Sequence, residues 1–164
     1  MSEAIIHPDG RLIFQGRDLR AVLGRGGVVQ HKQEGDGATP AGLLPLRRLL
    51  YRADRLPIPR TTLPRAPLAP QDGWCDDPGH ADYNRPVRLP HPARHEQLWR
   101  QDAVYDLIGV LGWNDAPVRP HAGSAIFLHL ARPDFAPTEG CVALPLADLQ
   151  ALLAAGLSAV RVLA

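Results

Sequence analysis

Apolar residues in this chain come in short bursts, not in long helical runs. Residues 4–7 and 11–14 flank a Pro8-Asp9-Gly10 turn, which predicts a β-hairpin. Residues 19–23 and 28–31 predict two further short strands around a loop at 24–27. After the Gly35-Asp36-Gly37 turn, residues 43–52 mix leucine and arginine in a way that fits a half-buried strand and also a short helix. Residues 56–92 are rich in proline and polar side chains, with little periodicity. Inside a compact domain such a segment is a functional loop or lid, or else a disordered insert. Trp74 and Tyr83 favour an ordered one. Residues 96–101 predict a short helix, and 105–111 and 124–129 predict core strands separated by turn material at 114–123. The clearest helix runs over 146–155: Leu146, Leu149 and Leu153 share a face, Asp148 sits in the first turn, and Gly156 ends it. Residues 159–163 predict a closing strand. The pattern implies a mainly β, α+β fold, with residues 1–164 as one domain and no internal repeat.

Composition narrows the functional classes. Hydrophobic residues make up 45% and charged residues 21%, which fits a globular chain and not a disordered one. Eighteen basic residues face seventeen acidic ones, so no electrostatic footprint for nucleic acid exists. Lys32 is the only lysine. No run of eighteen apolar residues predicts a transmembrane span, and the first residues lack the pattern of a secretory signal. Cys75 and Cys141 are the two cysteines. A disulfide is open to them in an oxidising compartment, although a free thiol is the better reading of each. Cys75 with His80 is too sparse a pair for zinc, and no metal or other cofactor is expected.

Chemistry concentrates near the carboxyl end. His129 ends an apolar strand, a loop with two prolines follows, and Cys141 comes directly after Gly140. A thiolate attacks carbonyls well, but it needs a neighbouring imidazole or a helix amino terminus to be populated at neutral pH. Eleven residues between His129 and Cys141 are enough for the chain to fold back and bring the two together. The amides of Gly140 and Cys141 are candidates for an oxyanion hole. On residue types alone, a packed histidine and cysteine without catalytic role are the commoner reading.

The segment also resembles the signature of the L,D-transpeptidase catalytic (YkuD-type) family, in which a strand-end histidine is followed by Ser/Thr-His-Gly-Cys. His129, Thr138, Gly140 and Cys141 match it, and Thr39-Pro40-Ala41-Gly42 matches the family's Thr-Pro-x-Gly turn. A compact proteobacterial branch is similar in Gly35-Asp36-Gly37-Ala38, in Trp74-Cys75-Asp76-Asp77-Pro78 and in Tyr83-Asn84-Arg85-Pro86-Val87. The resemblance implies a β-sandwich with a short helix after the nucleophile and a long lid. It implies a Cys141 nucleophile, a His129 base whose far nitrogen rests on a carbonyl near Leu130, and thioester chemistry on peptidoglycan stem peptides containing meso-diaminopimelate. Transpeptidation, L,D-carboxypeptidase or crosslink-hydrolase activity, and a catalytically impaired peptidoglycan-binding module all fit this likeness. It further implies a cell-envelope or periplasmic setting, and a monomer is expected.

Three departures from the family pattern matter, one being a loop between base and nucleophile that is shorter than usual, together with the missing secretion signal. Glu139 stands where the signature has histidine, and a carboxylate beside the nucleophile opposes thiolate formation. It is therefore expected to turn away from the sulfur, towards an arginine or a substrate ammonium. Ala143 stands in place of the usual arginine or asparagine, with Arg132 and Arg85 as candidate substitutes. Trp74, Asp76, Asp77, Tyr83, Asn84 and Arg85 are candidates for a wall around the stem peptide, or for packing that pins the long loop. His121 is expected to be solvated, Asp134 to cap the loop, and Tyr105 and Asn114 to pack.

Overall fold

The computed structural model describes residues 2–164, and in it strand pairing outweighs helix. The predicted amino-terminal hairpin forms from β1 (Glu3–Ile6) and β2 (Arg11–Phe14), with Ile6 opposite Leu12. A tight Gln15-Gly16 turn then adds β3 (Arg17–Arg20). Two-residue strands β4 (Val28–Val29) and β5 (Thr39–Pro40) pair in parallel.

The segment left open between strand and helix is β6 (Gly42–Tyr51), the longest strand of the chain. Its first half pairs with the closing strand β14 (Ala159–Val162), and its second half with β11 (Leu107–Leu111). One strand therefore carries the chain from one sheet into the other. The nine-stranded sheet runs β13 (Val142–Leu144)-β12 (Phe127–Leu130)-β11-β6-β14-β1-β2-β3, with β7 (Arg65–Pro67) beside β6. Reciprocal backbone bonds between Val22 and Ala143, at 2.8 and 2.9 Å, join its two ends and nearly close a barrel-like sandwich. Within it lies a core of Ile6, Leu12, Phe14, Leu44, Leu49, Leu128 and Leu144.

The only helix among the described residues, α1 (Leu146–Ala154), follows Pro145 and buries Leu149, Leu152 and Leu153 against that core. Gly156, at φ +96°, terminates it in the left-handed conformation. No helix among the described residues is long and apolar enough to cross a membrane.

The proline-rich segment departs from the reading as an irregular lid. It contains β8 (Asp72–Cys75) and β9 (Pro86–Arg88), and these join β10 (His95–Gln97) in a separate three-stranded sheet ordered β10-β8-β9. The helix expected over 96–101 is likewise absent. His95, Glu96 and Gln97 instead pair with Cys75, Trp74 and Gly73. The strands are three or four residues long, too short to impose a period on the sequence, and only tertiary pairing selects extended backbone over local helix propensity.

A second apolar cluster joins this small sheet to the main one. Trp74 meets Phe127 edge-on with ring centroids 5.0 Å apart, beside Leu98, Tyr105, Ile108 and Cys141. Asn84 locks the junction. Its Oδ1 accepts from Trp74 Nε1 and from the Ala125 amide, each at 3.0 Å, and its Nδ2 donates to the carbonyls of Trp113 and Asn114. Asn84→Ala strands two buried donors, at about 1–3 kcal/mol each. Urea unfolding is expected to show a loss in this range or larger, with β8 and β10 amides exchanging faster; a loss below about 0.5 kcal/mol contradicts the locking role.

Candidate active site

Strands β12 (Phe127–Leu130) and β13 (Val142–Leu144) run parallel, with Leu128 opposite Val142 and His129 opposite Ala143. Cys141 immediately precedes β13 and so lies alongside Phe127. Side chains alternate along strands, so Cys141, Ala143, Phe127 and His129 share one face of this pair. On that face lies a cavity of about 340 Å³, lined by Cys141, His129, Ala143, Thr138, Arg132, Arg100, Tyr105, Ala125 and four carboxylates, Glu34, Asp76, Glu96 and Glu139.

The nucleophile candidate is anchored rather than loose. Cys141 is 7% exposed, with its back in the second apolar cluster and its front on the cavity. Its thiol donates to the Ala125 carbonyl at 3.2 Å, and the Phe127 amide donates to the sulfur at 3.4 Å. Ala125 sits at φ +53°, a left-handed conformation costing roughly 1–2 kcal/mol for a residue with a Cβ. The Asn84 bond to its amide helps hold it there. Burial pushes the Cys141 thiol up to about 12; the negative charge of Glu96 adds to the rise, and the Phe127 amide and the Lys32 ammonium oppose it. No helix amino terminus directly follows the thiol, because β13 and Pro145 separate it from α1.

His129 is equally buried, and burial holds its imidazole down to about 4. Its Nδ1 lies 3.0 Å from the Leu130 carbonyl. A carbonyl only accepts, so Nδ1 carries the hydrogen and Nε2 keeps the lone pair. Tyr105 stands edge-on to the ring at 5.3 Å. Thiol and imidazole are thus both uncharged at rest, and no hydrogen bond joins them.

The turn before Cys141 is tightly built. Thr138 Oγ1 accepts from the Gly140 amide at 3.1 Å and donates to the Cys141 carbonyl at 2.7 Å; Thr39 Oγ1 approaches the same carbonyl at 3.5 Å. This corrects one expectation: the Gly140 amide is used inside the turn and is not free for an oxyanion. Among the described residues the Cys141 amide has no protein acceptor, and it remains available. Gly140 sits at φ +132°, and a Cβ there would meet the Ala38 carbonyl oxygen at 2.7 Å, so the turn admits only glycine.

Behind Gly140 lies Lys32, its side chain almost wholly buried and its ammonium paired with Asp36. Being the chain's single lysine was the sole mark it carried in the sequence.

Of the other predicted residues, Arg132, Thr138 and Asp76 reach the cavity, and Glu139 reaches its rim, where it accepts from Arg25 Nε at 2.9 Å. Trp74, Tyr83, Asn84 and Arg85 do not line it. Trp74 and Asn84 build the support behind Ala125. The Tyr83 hydroxyl donates to Glu34 at 2.6 Å, and Arg85 is exposed against a different hollow with Trp113. Asp134 caps its loop through the Ala136 amide.

Both cysteines are free. Among the described residues His80, Asp82 and His91 bring potential ligand atoms within 4.8 Å of one another. Each imidazole, however, accepts a backbone amide on Nδ1, which leaves the hydrogen on Nε2; the His91 Nε2 hydrogen goes to Asp82 at 3.0 Å. The trio ties the two loops of the small sheet together.

A sequence profile of the L,D-transpeptidase catalytic domain family, YkuD, matches residues 3–160, nearly the whole chain. The chain belongs to this family. YkuD domains are cysteine enzymes that modify peptidoglycan and act on the cell wall, and the mainly β fold described above is consistent with theirs. No curated protein matches the chain. Within the YkuD frame, Ala143 puts a methyl group directly beside the imidazole, and the nearby cavity charges come from Arg100, Arg132 and the four carboxylates.

Sequence reasoning assigned no role to Glu96, Glu34 or Arg100. Burial is the main cause that raises Glu96 to about 7. The folded chain therefore binds a proton that the unfolded chain, at 4.5, releases. Any stability from this group is present below pH 4.5 and lost as pH rises through 7. Glu96→Gln is expected to leave the melting temperature nearly unchanged near the lower pH and to raise it by several degrees above the upper one. An equal shift at both contradicts a buried, late-ionising carboxyl.

Proposed function

We propose that the chain is a peptidoglycan L,D-transpeptidase, with residues 1–164 acting as one catalytic domain, Cys141 as nucleophile and His129 as base. The observation that carries this reading is the pairing of a cavity-facing thiol with an imidazole on the same strand face, its lone pair left on Nε2 by the Leu130 carbonyl. Family membership supplies the substrate class. Peptidoglycan stem peptides then fix the site of action at the cell envelope.

Resting neutrality shapes the mechanism. A donor stem peptide enters the cavity and excludes water; its carbonyl draws the sulfur off the Ala125 carbonyl. The thiol proton passes to Nε2 as the sulfur attacks, so charge forms only as it is used. The developing oxyanion has the Cys141 amide within its reach and the buried Lys32 ammonium behind Gly140 to stabilise it. The imidazolium protonates the departing residue and leaves a thioester on Cys141. An amine of a second stem resolves the thioester into a crosslink. Water in its place gives the carboxypeptidase or hydrolase outcome at the same site. Glu139, held by Arg25, adds no charge next to the sulfur, which removes one of the two grounds, beside Ala143, for reading the chain as an impaired binding module.

Incubation with a carbapenem followed by intact-mass measurement is expected to give one adduct, abolished by Cys141→Ala and retained by Cys75→Ala. His129→Ala is expected to slow its formation by at least about 100-fold. With purified stem tetrapeptide, a crosslinked dimer supports transpeptidation, and tripeptide alone assigns the hydrolytic reading. An adduct that survives Cys141→Ala contradicts both.

A further inference from the structure

Four carboxylates line the cavity, and they are not equivalent; Glu139, at the rim, accepts from Arg25 Nε at 2.9 Å. Glu34 accepts from the Tyr83 and Ser124 hydroxyls, each at 2.6 Å, and Asp76 accepts from Arg94 Nε at 3.1 Å. Glu96 receives a single hydrogen bond among the described residues, from the Tyr105 hydroxyl to Oε1 at 3.1 Å. No buried polar side-chain atom among the described residues lacks a partner, so its other oxygen is not sealed in protein. It reaches solvent, and Glu96 lines this cavity as well as a neighbouring hollow with Trp99 and Asp102.

Tyr105 connects this carboxylate to the chemistry, with its hydroxyl on Glu96 and its ring edge-on to His129 at 5.3 Å. The charge of Glu96 is felt at the Cys141 sulfur. Glu96 stands on β10, opposite Trp74, so the small sheet delivers it to the cavity.

Resolving the thioester by an amine raises a proton problem. An acceptor amine arrives at neutral pH as R–NH3+, without a lone pair. It must lose one proton before attack and a second during attack. His129 has by then given its proton to the departing residue, and one neutral imidazole accounts for one of the two. We propose that Glu96 is the second base: it docks the acceptor ammonium and takes its first proton. This rests on the transpeptidase reading.

The step balances without any further reactant. Glu96 carboxylate and R–NH3+ become Glu96 carboxylic acid and R–NH2. The nitrogen lone pair forms the C–N bond and the C–S bond breaks. The second nitrogen proton passes to His129 Nε2 and from there to the departing sulfur, restoring the neutral thiol. Glu96 then releases its proton to water. Hydrolysis needs no such first deprotonation, so Glu96 biases the thioester towards amines.

Several groups face Glu96 and set when it can act. Burial, Asp76 and Glu34 oppose its ionisation; the Tyr105 hydroxyl and Arg100 favour it. Its ionisation near neutral pH suits a base that must release its proton after each turnover.

The test uses the full chain, stem tetrapeptide as both donor and acceptor, and the variants Glu96→Gln and Glu96→Asp. In Glu96→Gln the thioester is expected to accumulate on intact-mass measurement. The dimer-to-tripeptide ratio is expected to fall by about 10- to 100-fold, with partial recovery in Glu96→Asp. Hydroxylamine, already uncharged at neutral pH, needs no first deprotonation and should release the accumulated thioester as readily as in the wild-type chain. A dimer-to-tripeptide ratio within about twofold of wild type overturns the proposal. Equal loss of hydroxylamine release overturns it too, because a merely structural role damages both. If the wild-type chain forms no thioester at all, the transpeptidase reading fails, and this proposal with it.

Discussion

The site depends on how one sulfur is held. Cys141 is fixed between a carbonyl that accepts its hydrogen and an amide that donates to it, both from the 125–127 backbone. Burial makes a resting charge on that sulfur expensive, and His129 is buried enough to stay neutral beside it. A water-filled surface site would relax both constraints and lose the control over when charge appears. In the mechanism we propose, the ion pair is withheld until a substrate supplies the carbonyl that consumes it.

The fold supplies each part of that arrangement at a distance. Parallel pairing of β12 and β13 sets Cys141 and His129 on one face, and the Val22–Ala143 bonds clamp the outer edge. The left-handed backbone at Ala125 is reached through Asn84, which the small sheet carries. The same sheet presents Glu96 and Asp76 to the cavity. What resembled a lid is therefore structural support on one side and cavity wall on the other.

Much of this was legible in the sequence, for specific reasons. His129 at the end of an apolar strand and Gly140-Cys141 after a short loop carry their chemistry in residue type and spacing. Thr39 and Thr138 were visible as motif positions, and the structure gives them a shared task at the Cys141 carbonyl. The Leu130 carbonyl on His129 Nδ1 matches the tautomer argument. Trp74 and Asn84 stood out but act behind the cavity, because aromatic and amide residues mark a buried network as readily as a binding wall. Nothing in the sequence assigned Glu96 or Lys32 to the site. A lone carboxylate or lysine has no pattern, and its meaning comes from burial and from neighbours far along the chain. The small sheet was missed because its strands are shorter than any periodicity can reveal, and the free Gly140 amide was overestimated because the Thr138 side chain competes for it.

The claim that the site rests uncharged is open to direct measurement. In a Cys75→Ala background, the rate of Cys141 alkylation by iodoacetamide can be followed from about pH 6 to about pH 10, since only the thiolate reacts. A neutral buried thiol predicts a slow rate that climbs about tenfold per pH unit across the range without levelling. A fast rate that is already flat near neutral pH would reveal a preformed thiolate–imidazolium pair and contradict the account.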